Sequence, residues 1–191
     1  MTRMRAAERR RVVLDAALVE FARGGYDSTT VTSIADRAGV SQPYMFKLFA
    51  TKRELFLTAA EHCFNRWGEL LTEAAAGLTG RRAIDAMTGA CVAAEMESDL
   101  LAFPLKLYAA GHDASIAEAT SRHVTGLYRS IVLAAGVDDA RTSHLLATVL
   151  LLQTTSTMYP CDPAVHRAVL GLTTPRVRVL SVPDAALGIE G

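Results

Sequence analysis

Apolar residues recur every three or four positions along almost the whole sequence, which is the spacing of one face of an α-helix. No stretch before the C-terminal tail alternates convincingly with the two-residue period of a β-strand. The first helix, for example, carries Leu14, Leu18 and Phe21 on one face, and we expect the Gly24-Gly25 pair to end it as a C-terminal cap. The sequence therefore predicts an all-α fold.

Capping signals mark helix ends further along the chain. Thr51 to Glu54 is a capping box that opens a long helix, and Ser115 to Glu118 is a second capping box, whose helix Gly136 closes. Pattern and caps together predict helices at about 31–38, 42–49, 52–74, 81–97, 99–110, 115–135 and 139–158, then a short helix at 163–172 and an extended or disordered tail at 175–191.

The composition excludes several classes of protein. Half of the 191 residues are hydrophobic and 21% are charged, as in a folded globular protein. The longest apolar run, 145–152, is interrupted by Thr148 and is far shorter than the roughly 20 residues of a membrane-spanning helix. The basic N-terminus is not followed by the apolar segment of an export signal, so we expect a cytoplasmic protein without a membrane span.

The cysteines and histidines suggest neither a disulfide framework nor a metal site. Cys63, Cys91 and Cys161 are far apart and form no CxxC pair, and no two histidines have the four-residue spacing of a zinc site. Gly-rich phosphate loops, GxSxG elbows and HExxH motifs are also missing from the sequence. We therefore expect no metal, no cofactor and no enzymatic activity.

Charge is distributed unevenly along a chain whose formal net charge is zero. Residues 1–60 carry ten Lys or Arg and six Asp or Glu, whereas residues 61–191 carry ten and fourteen. A basic N-terminal part beside an acidic remainder suits nucleic-acid binding, because neutralisation of phosphates dominates the affinity for DNA.

The segment 31–50 has the pattern of a helix-turn-helix, in which two short helices cross steeply and pack closely. Ala35 is small where the helices approach each other, and Gly39 stands where the turn requires a positive φ angle. Apolar residues occupy the positions that face the core: Ile34, Ala38, Val40, Met45 and Leu48. An ordinary αα-hairpin in a helical bundle is the alternative interpretation.

If those apolar positions face inward, the second helix presents polar side chains at its N-terminal end, which is the end that enters a major groove. Gln42 can pair with an adenine edge, Lys47 can reach guanine or phosphate, and the Tyr44 ring can pack on a sugar or a thymine methyl group. Ser41 suits the N-cap of this helix, and Pro43 lies in its first turn, where no N–H is needed.

Three stretches of this region resemble the N-terminal signature of TetR-type (tetracycline-repressor-like) transcriptional regulators: Thr30–Ser41, Phe46–Phe49 and Thr51–Leu55. The resemblance covers about residues 10–60. It implies a site that reads double-stranded DNA, with contacts from both helices of the motif and from the start of the next one. The predicted DNA-binding residues are Thr30, Thr32, Ser41, Gln42, Pro43, Tyr44, Lys47 and Lys52.

By this resemblance, Thr30 and Thr32 touch DNA from the first helix of the motif, and Lys52 holds a phosphate. Lys52 also lies in the first turn of its helix, where free N–H groups and the helix dipole favour an anion. Relatives usually carry Tyr where this chain has Phe46, so a hydroxyl that commonly contacts phosphate is missing, and Tyr44 is the candidate to compensate.

TetR-type regulators join such a DNA-binding domain to a helical domain that dimerises and holds a small molecule. The resemblance implies DNA binding at 1–55 and ligand binding and dimerisation at 56–174, while Pro175 and Pro183 predict the tail at 175–191. The helix at 139–158 is apolar almost all round, which favours packing partners on every side; the core of a monomer is the alternative. The candidate dimer-interface residues are Leu127, Ile131, Leu145, Val149 and Leu152.

A ligand cavity combines large or polarisable apolar groups with a few polar ones. Residues of these types after the DNA-binding domain are the candidates for the pocket, although each type is also common in an ordinary core. They are Trp67, Met87, Cys91, Met96, Phe103, Leu107, Tyr108 and His112. The expected effector is a small apolar or amphipathic molecule.

The sequence thus predicts a ligand-responsive transcriptional regulator, by family default a repressor, that binds palindromic operator DNA as a homodimer and is released by its effector. In the predicted mechanism, a ligand shifts the helix that starts at Lys52 and so changes the separation of the two recognition helices. A helical protein-interaction module whose helix-turn-helix no longer reads DNA is the alternative.

Overall fold

The computed structural model describes residues 6–94 and 98–158, and the regular elements of these residues are all helices. The prediction of an all-α fold is confirmed. The eight described helices are α1 (Ala6–Ser28), α2 (Val31–Ala38), α3 (Gln42–Leu48), α4 (Lys52–Ala74), α5 (Gly80–Ala93), α6 (Ser98–Ala109), α7 (Ala114–Ala135) and α8 (Asp139–Met158). The short helix predicted at 163–172 and the tail at 175–191 lie outside the described residues.

Helices α1–α3, here called the head, are followed by the long helix α4 and by helices α5–α8, here called the body. α1 packs against α2, α4 and α6, and α4 packs against α5, α6 and α7. Because α4 runs without a break from Lys52 to Ala74, the predicted domain boundary at residue 55 falls inside a continuous helix. None of the helices in the described ranges has the length and apolar character needed to cross a membrane.

The backbone of α1 breaks at the glycine pair, as predicted. Gly25 adopts a left-handed φ of 72° with a non-helical ψ of −173°, and a short helical segment follows this kink as far as Ser28. Gly24 has another role: a Cβ atom at this position would lie 2.7 Å from the Thr29 hydroxyl oxygen. That hydroxyl is buried and donates a hydrogen bond to the Glu20 carbonyl at 3.0 Å. The glycine pair therefore bends the helix and allows the chain to return closely over it.

Local caps shape the helix-turn-helix as the sequence predicts. The Ser41 hydroxyl caps α3 by accepting a hydrogen bond from the Tyr44 N–H at 3.4 Å, and Gly39 adopts the left-handed conformation with φ of 64°. The Thr51 hydroxyl accepts from the Glu54 N–H at 3.0 Å. The Glu54 carboxylate accepts from the N–H of Ala50, one residue earlier than in a standard capping box.

A cluster of aromatic rings joins the head to the body. The Phe56 ring on α4 lies edge-on to Phe21 of α1 and to Phe103 of α6, with centroid separations of 4.8 and 5.4 Å. All three rings are fully buried. Such edge-to-face pairs stabilise a core beyond the burial of their area, and here they place α1 directly on α6.

Pro104 lies inside α6 and leaves the Leu100 carbonyl without its helical donor, because proline has no N–H. Two buried groups of α4 supply donors to that oxygen. The Trp67 indole N–H donates to it at 3.3 Å, and the Cys63 thiol lies 3.8 Å from it. The interruption in α6 is therefore repaired by α4, and the repair fixes the two helices against each other.

The start of α7 also departs from the prediction. Its N-cap is Asp113, whose carboxylate accepts hydrogen bonds from the N–H groups of Ser115 and Ile116 at 2.9 and 3.3 Å. The predicted capping box at Ser115 begins two residues too late, because an aspartate upstream is an equally good cap and satisfies both N–H groups. The prediction that Gly136 closes this helix is confirmed, with φ of 60°.

Candidate nucleic-acid interface

The exposed face of α3 carries the side chains expected to read DNA. Gln42, Pro43 and Lys47 are exposed, whereas Met45 on the opposite face is buried in the core. Ser41 is exposed beside them, and Tyr44 is half-buried. Since positions three and four apart share a helix face, the exposed residues of α3 form one surface that a groove can receive.

Phe46 belongs to the same surface, although the sequence alone indicated at this position only the loss of a hydroxyl group. Its side chain is 49% exposed, and it lies one helical turn after Gln42. The signal for this was available, because a residue next to the inward Met45 and four positions from Gln42 must face outward. The face of α3 therefore combines an amide, a cation and an aromatic ring.

The two threonines predicted to touch DNA lie at the start of α2. Both are exposed, and the Thr30 hydroxyl is engaged as the N-cap of α2, where it accepts a hydrogen bond from the Ser33 N–H at 3.0 Å. Thr30 thus has a structural role that needs no DNA. The Thr32 side chain faces solvent.

Lys52 has a different environment from the one that the sequence suggests. Its ammonium donates a hydrogen bond to the Asp27 carbonyl at 3.1 Å and lies 4.9 Å from the centroid of the Tyr26 ring. The lysine therefore braces the end of α1. An ammonium has three donors, so this contact leaves others for a phosphate.

An ion pair and a hydrogen bond hold the head together around this surface. Arg37 of α2 pairs with Glu20 of α1, with 2.5 Å between Nε and Oε1. On the other side of α1, Asp15 contacts His62 of α4 at 2.7 Å. The helix-turn-helix is thus tied to α1, and α1 in turn is tied to α4.

One ion pair connects the start of α4 to the body. The Arg53 guanidinium pairs with the Asp113 carboxylate and donates to the Ser115 hydroxyl oxygen at 2.9 Å. The Ser115 hydroxyl, the backbone N–H groups of α7 and Arg53 together hold the pKa of the Asp113 carboxyl below its usual value. Asp113 thus stays ionised and links the end of the α6–α7 connection to the residue beside Lys52.

The predicted pocket residues are divided between the closed core and a cleft. Trp67, Met87, Cys91 and Phe103 are fully buried among other side chains. Leu107 is also fully buried but lies at the wall of the cleft, whereas Tyr108 and His112 are exposed. Met96 lies outside the described residues. Burial raises the pKa of the Cys91 thiol to about 12, so this group stays protonated and unreactive.

A cleft of about 390 Å³ opens between the end of α6 and the first half of α7. Its walls are largely apolar, with hydroxyl groups from α7, and they include two of the predicted pocket residues. The lining residues are Leu107, Tyr108, Gly111, Ala117, Thr120, Ser121, Val124 and Thr125. The Thr120 hydroxyl is buried and has no hydrogen-bond partner among the described residues. Within the same residues, no three His, Cys, Asp or Glu side chains lie together as a metal site requires.

The candidate dimer-interface residues pack inside the protomer. The five side chains are at most 9% exposed: Leu127, Ile131, Leu145, Val149 and Leu152. Other leucines of the same helices face solvent, namely Leu133, Leu150 and Leu151, with 83%, 46% and 37% of their surface exposed. A helix that is apolar all round does not reveal from its sequence which side its own fold covers.

Known proteins match this chain both by sequence and by fold. The N-terminal domain of bacterial regulatory proteins of the tetR family matches residues 13–59. The HTH-type transcriptional activator FasR of Mycolicibacterium smegmatis is 43% identical over 54 residues, which are 28% of this chain and 25% of that protein. The HTH-type transcriptional repressor KstR of Mycobacterium tuberculosis is 30% identical over 95 residues, which are 49% of this chain and 43% of that protein.

The matched segments thus span less than half of the length of these relatives. The fold likeness extends much further. The structure of a TetR family transcription regulator from Marinobacter aquaeolei VT8 superposes with a TM-score of 0.62 over 85% of this chain and 90% of its own, at 15% identity. The chain thus has an N-terminal segment that matches the tetR family of bacterial regulatory proteins, and its fold is similar to that of a TetR family transcription regulator.

Proposed function

We propose that this chain is a ligand-responsive transcriptional regulator that represses by binding palindromic operator DNA as a homodimer. The observation that carries the proposal is the face of α3. Gln42, Lys47 and Phe46 stand exposed on a capped helix whose other side is anchored by buried Met45. An amide, a cation and an aromatic ring are groups that read base edges in a major groove.

Dimerisation is supported by the exposed leucines of α7 and α8. Leu133, Leu150 and Leu151 would lose unfavourable contact with water if a second copy covered them. A two-fold axis beside these helices gives two α3 helices related by symmetry, and such a pair matches an inverted repeat in DNA.

The cleft between α6 and α7 is the proposed effector site. Its apolar walls and the unpartnered Thr120 hydroxyl suit a neutral, mainly apolar molecule with a hydrogen-bonding group. The connection beside the cleft carries Asp113, which pairs with Arg53 at the start of α4. A ligand that moves the start of α7 would therefore pull on α4 next to Lys52, and so change the position of the head.

The direction of control follows the relatives that match over the longer segment. KstR of Mycobacterium tuberculosis and KstR of Mycolicibacterium smegmatis are both described as repressors, whereas FasR is described as an activator. In the proposed mechanism the effector releases the repressor from DNA, so the effector should lower the affinity for the operator.

The test selects duplexes from a randomised DNA pool with the wild-type protein and measures their binding by fluorescence anisotropy across a salt series. We expect an enriched inverted repeat, bound at least a thousandfold more tightly than random DNA, as is typical of specific recognition. Gln42→Ala should lower this ratio, and Lys47→Ala should weaken binding at least about tenfold. Arg129→Ala, which removes an exposed charge of α7, is the matched control and should bind as the wild type does.

An absence of enrichment, with equal binding to all duplexes and no effect of either substitution, would contradict the proposal. The chain would then be better explained as a helical protein-interaction module. Enrichment of a single half-site would retain DNA reading but reject the homodimer on a palindrome.

A further inference from the structure

Two arginines near the start of α1, outside the helix-turn-helix motif, contact α3. Arg10 Nη1 donates to the Leu48 carbonyl oxygen at 3.1 Å, and its guanidinium carbon lies 4.3 Å from the centroid of the Phe49 ring. The guanidinium carbon of Arg9 lies 5.8 Å from the centroid of the Tyr44 ring. Neighbouring residues of one helix thus touch the two ends of α3.

Arg10 matters because α3 is short. A helix of seven residues does not maintain itself in water, so its packing contacts set its direction. Carbonyl groups of the last turn lack helical donors, and Arg10 supplies one at Leu48. Its positive charge also suits the negative end of the helix dipole. Arg10 therefore fixes the C-terminal end of α3 against α1, which is itself locked into the core through Phe21.

Arg9 has a different environment. It is partly exposed, and it forms no ion pair with any other residue in the described ranges. Its ring partner, Tyr44, lies in the first turn of α3, the part of the helix expected to approach base edges. A guanidinium held at the side of that turn is well placed to pair with a phosphate of the DNA backbone through two hydrogen bonds.

We propose that Arg10 is a positioning residue that aligns α3 in the major groove, and that Arg9 contacts a DNA phosphate beside Tyr44. The inference rests on the proposed function, since both roles require DNA binding. The two roles have separable consequences. A phosphate contact strengthens binding to every sequence, whereas the alignment of α3 affects the discrimination between sequences.

The Arg9 role is tested with Arg9→Gln, using the duplex selected by the wild type and a random duplex of the same length. Affinity for both duplexes should fall by the same factor, and the slope of log affinity against log salt should become shallower by about 0.9 for each protomer. Arg11→Gln is the matched control, because the Arg11 side chain is 79% exposed and lies 4.0 Å from Asp15. Equal effects of the two substitutions, or an unchanged slope in Arg9→Gln, would overturn the phosphate contact.

The Arg10 role is tested with Arg10→Lys, which keeps the charge but loses the planar group that bonds Leu48 and covers Phe49. The salt slope and the affinity for random DNA should stay at wild-type values, while the ratio of selected to random affinity should fall about tenfold. Thermal unfolding of the same variant and of Arg10→Ala shows whether the head remains folded. An unchanged ratio in both folded variants would refute the positioning role.

The outcomes also separate this inference from the proposed function. If the wild type itself does not distinguish the selected duplex from random DNA, the proposed function fails. If the wild type distinguishes them and the arginine variants do so equally well, only the roles of Arg9 and Arg10 fail.

Discussion

The head and the body use polar groups and empty space in opposite ways. In the head, the Ser41 and Thr30 hydroxyls cap helices, and Gly24 leaves just enough room for Thr29. In the body, the Thr120 hydroxyl is buried without a partner among the described residues, and it lies at the cleft between α6 and α7. The hydroxyls of the head thus fix helix ends, as a reader of fixed base edges requires, whereas the body contains the cleft that we propose for the effector.

If the head and the body were independent folding units, they would unfold in separate transitions. The variant Phe56→Ala tests this. Phe56 is fully buried between Phe21 of the head and Phe103 of the body. We expect the free energy of unfolding to fall by about 3–5 kcal/mol, with head and body still melting together. Urea unfolding followed by circular dichroism measures both quantities. Phe46→Ala, at an exposed phenylalanine, should change stability by less than about 0.5 kcal/mol; similar losses in both variants would contradict the prediction.

Gly24 has a close neighbour where a Cβ atom would lie, whereas Gly89 has none within 4 Å. A pair of matched substitutions tests this difference. Gly24→Ala places a Cβ against the Thr29 hydroxyl and breaks its hydrogen bond to Glu20, so stability should fall by about 1–2 kcal/mol. Gly89→Ala adds a methyl group in open space on α5 and should stabilise the protein by up to about 1 kcal/mol through helix propensity. Chemical denaturation of both variants would reject the contrast if their effects had the same sign.

Removal of the buried Thr120 hydroxyl should raise the stability of the protein, whereas most substitutions lower it. Thr120→Val removes a buried polar atom that has no partner among the described residues, and it should raise stability by about 1 kcal/mol. Thr148→Val is the control, because the Thr148 hydroxyl is also buried but donates to the His144 carbonyl at 3.0 Å. That variant should be neutral or destabilised. A thermal melt in which Thr120→Val loses stability would show that the hydroxyl is satisfied.

The smallest expected effect concerns the link between head and body, and it depends on pH. The pKa of Asp113 is lowered in the folded protein, chiefly by the Ser115 hydroxyl, so its carboxylate stabilises the fold fully above its ordinary pKa of 3.8. This contribution is lost as the pH falls through the lowered value. Asp113→Asn retains a helix cap but not the ion pair with Arg53. The melting temperature of the variant should therefore be lower than that of the wild type at pH 5.5. The difference between the two melting temperatures should become smaller towards pH 3. A difference that does not change with pH would contradict the stabilising role of the Asp113 charge.

How much the sequence predicts also differs between head and body. Gly39, Ser41 and Thr51 act through neighbours a few residues away, so their roles were predictable from local patterns alone. The contact of Arg10 with Leu48 spans 38 residues, and no local pattern predicts it. In the body, the buried leucines of α8 could not be separated from the exposed ones, because both faces of that helix are apolar and only the tertiary fold decides between them.

The repair of the α6 carbonyl by α4 has a practical consequence for following the protein in solution. Trp67, which donates to Leu100, is the single tryptophan of the chain. Its indole is fully buried at the junction of α4 and α6, where any displacement of one helix along the other must stretch that hydrogen bond or alter the polarity around the ring. The wavelength of tryptophan emission from the native protein therefore reports on changes at this junction. A titration can be followed by this fluorescence without an added label.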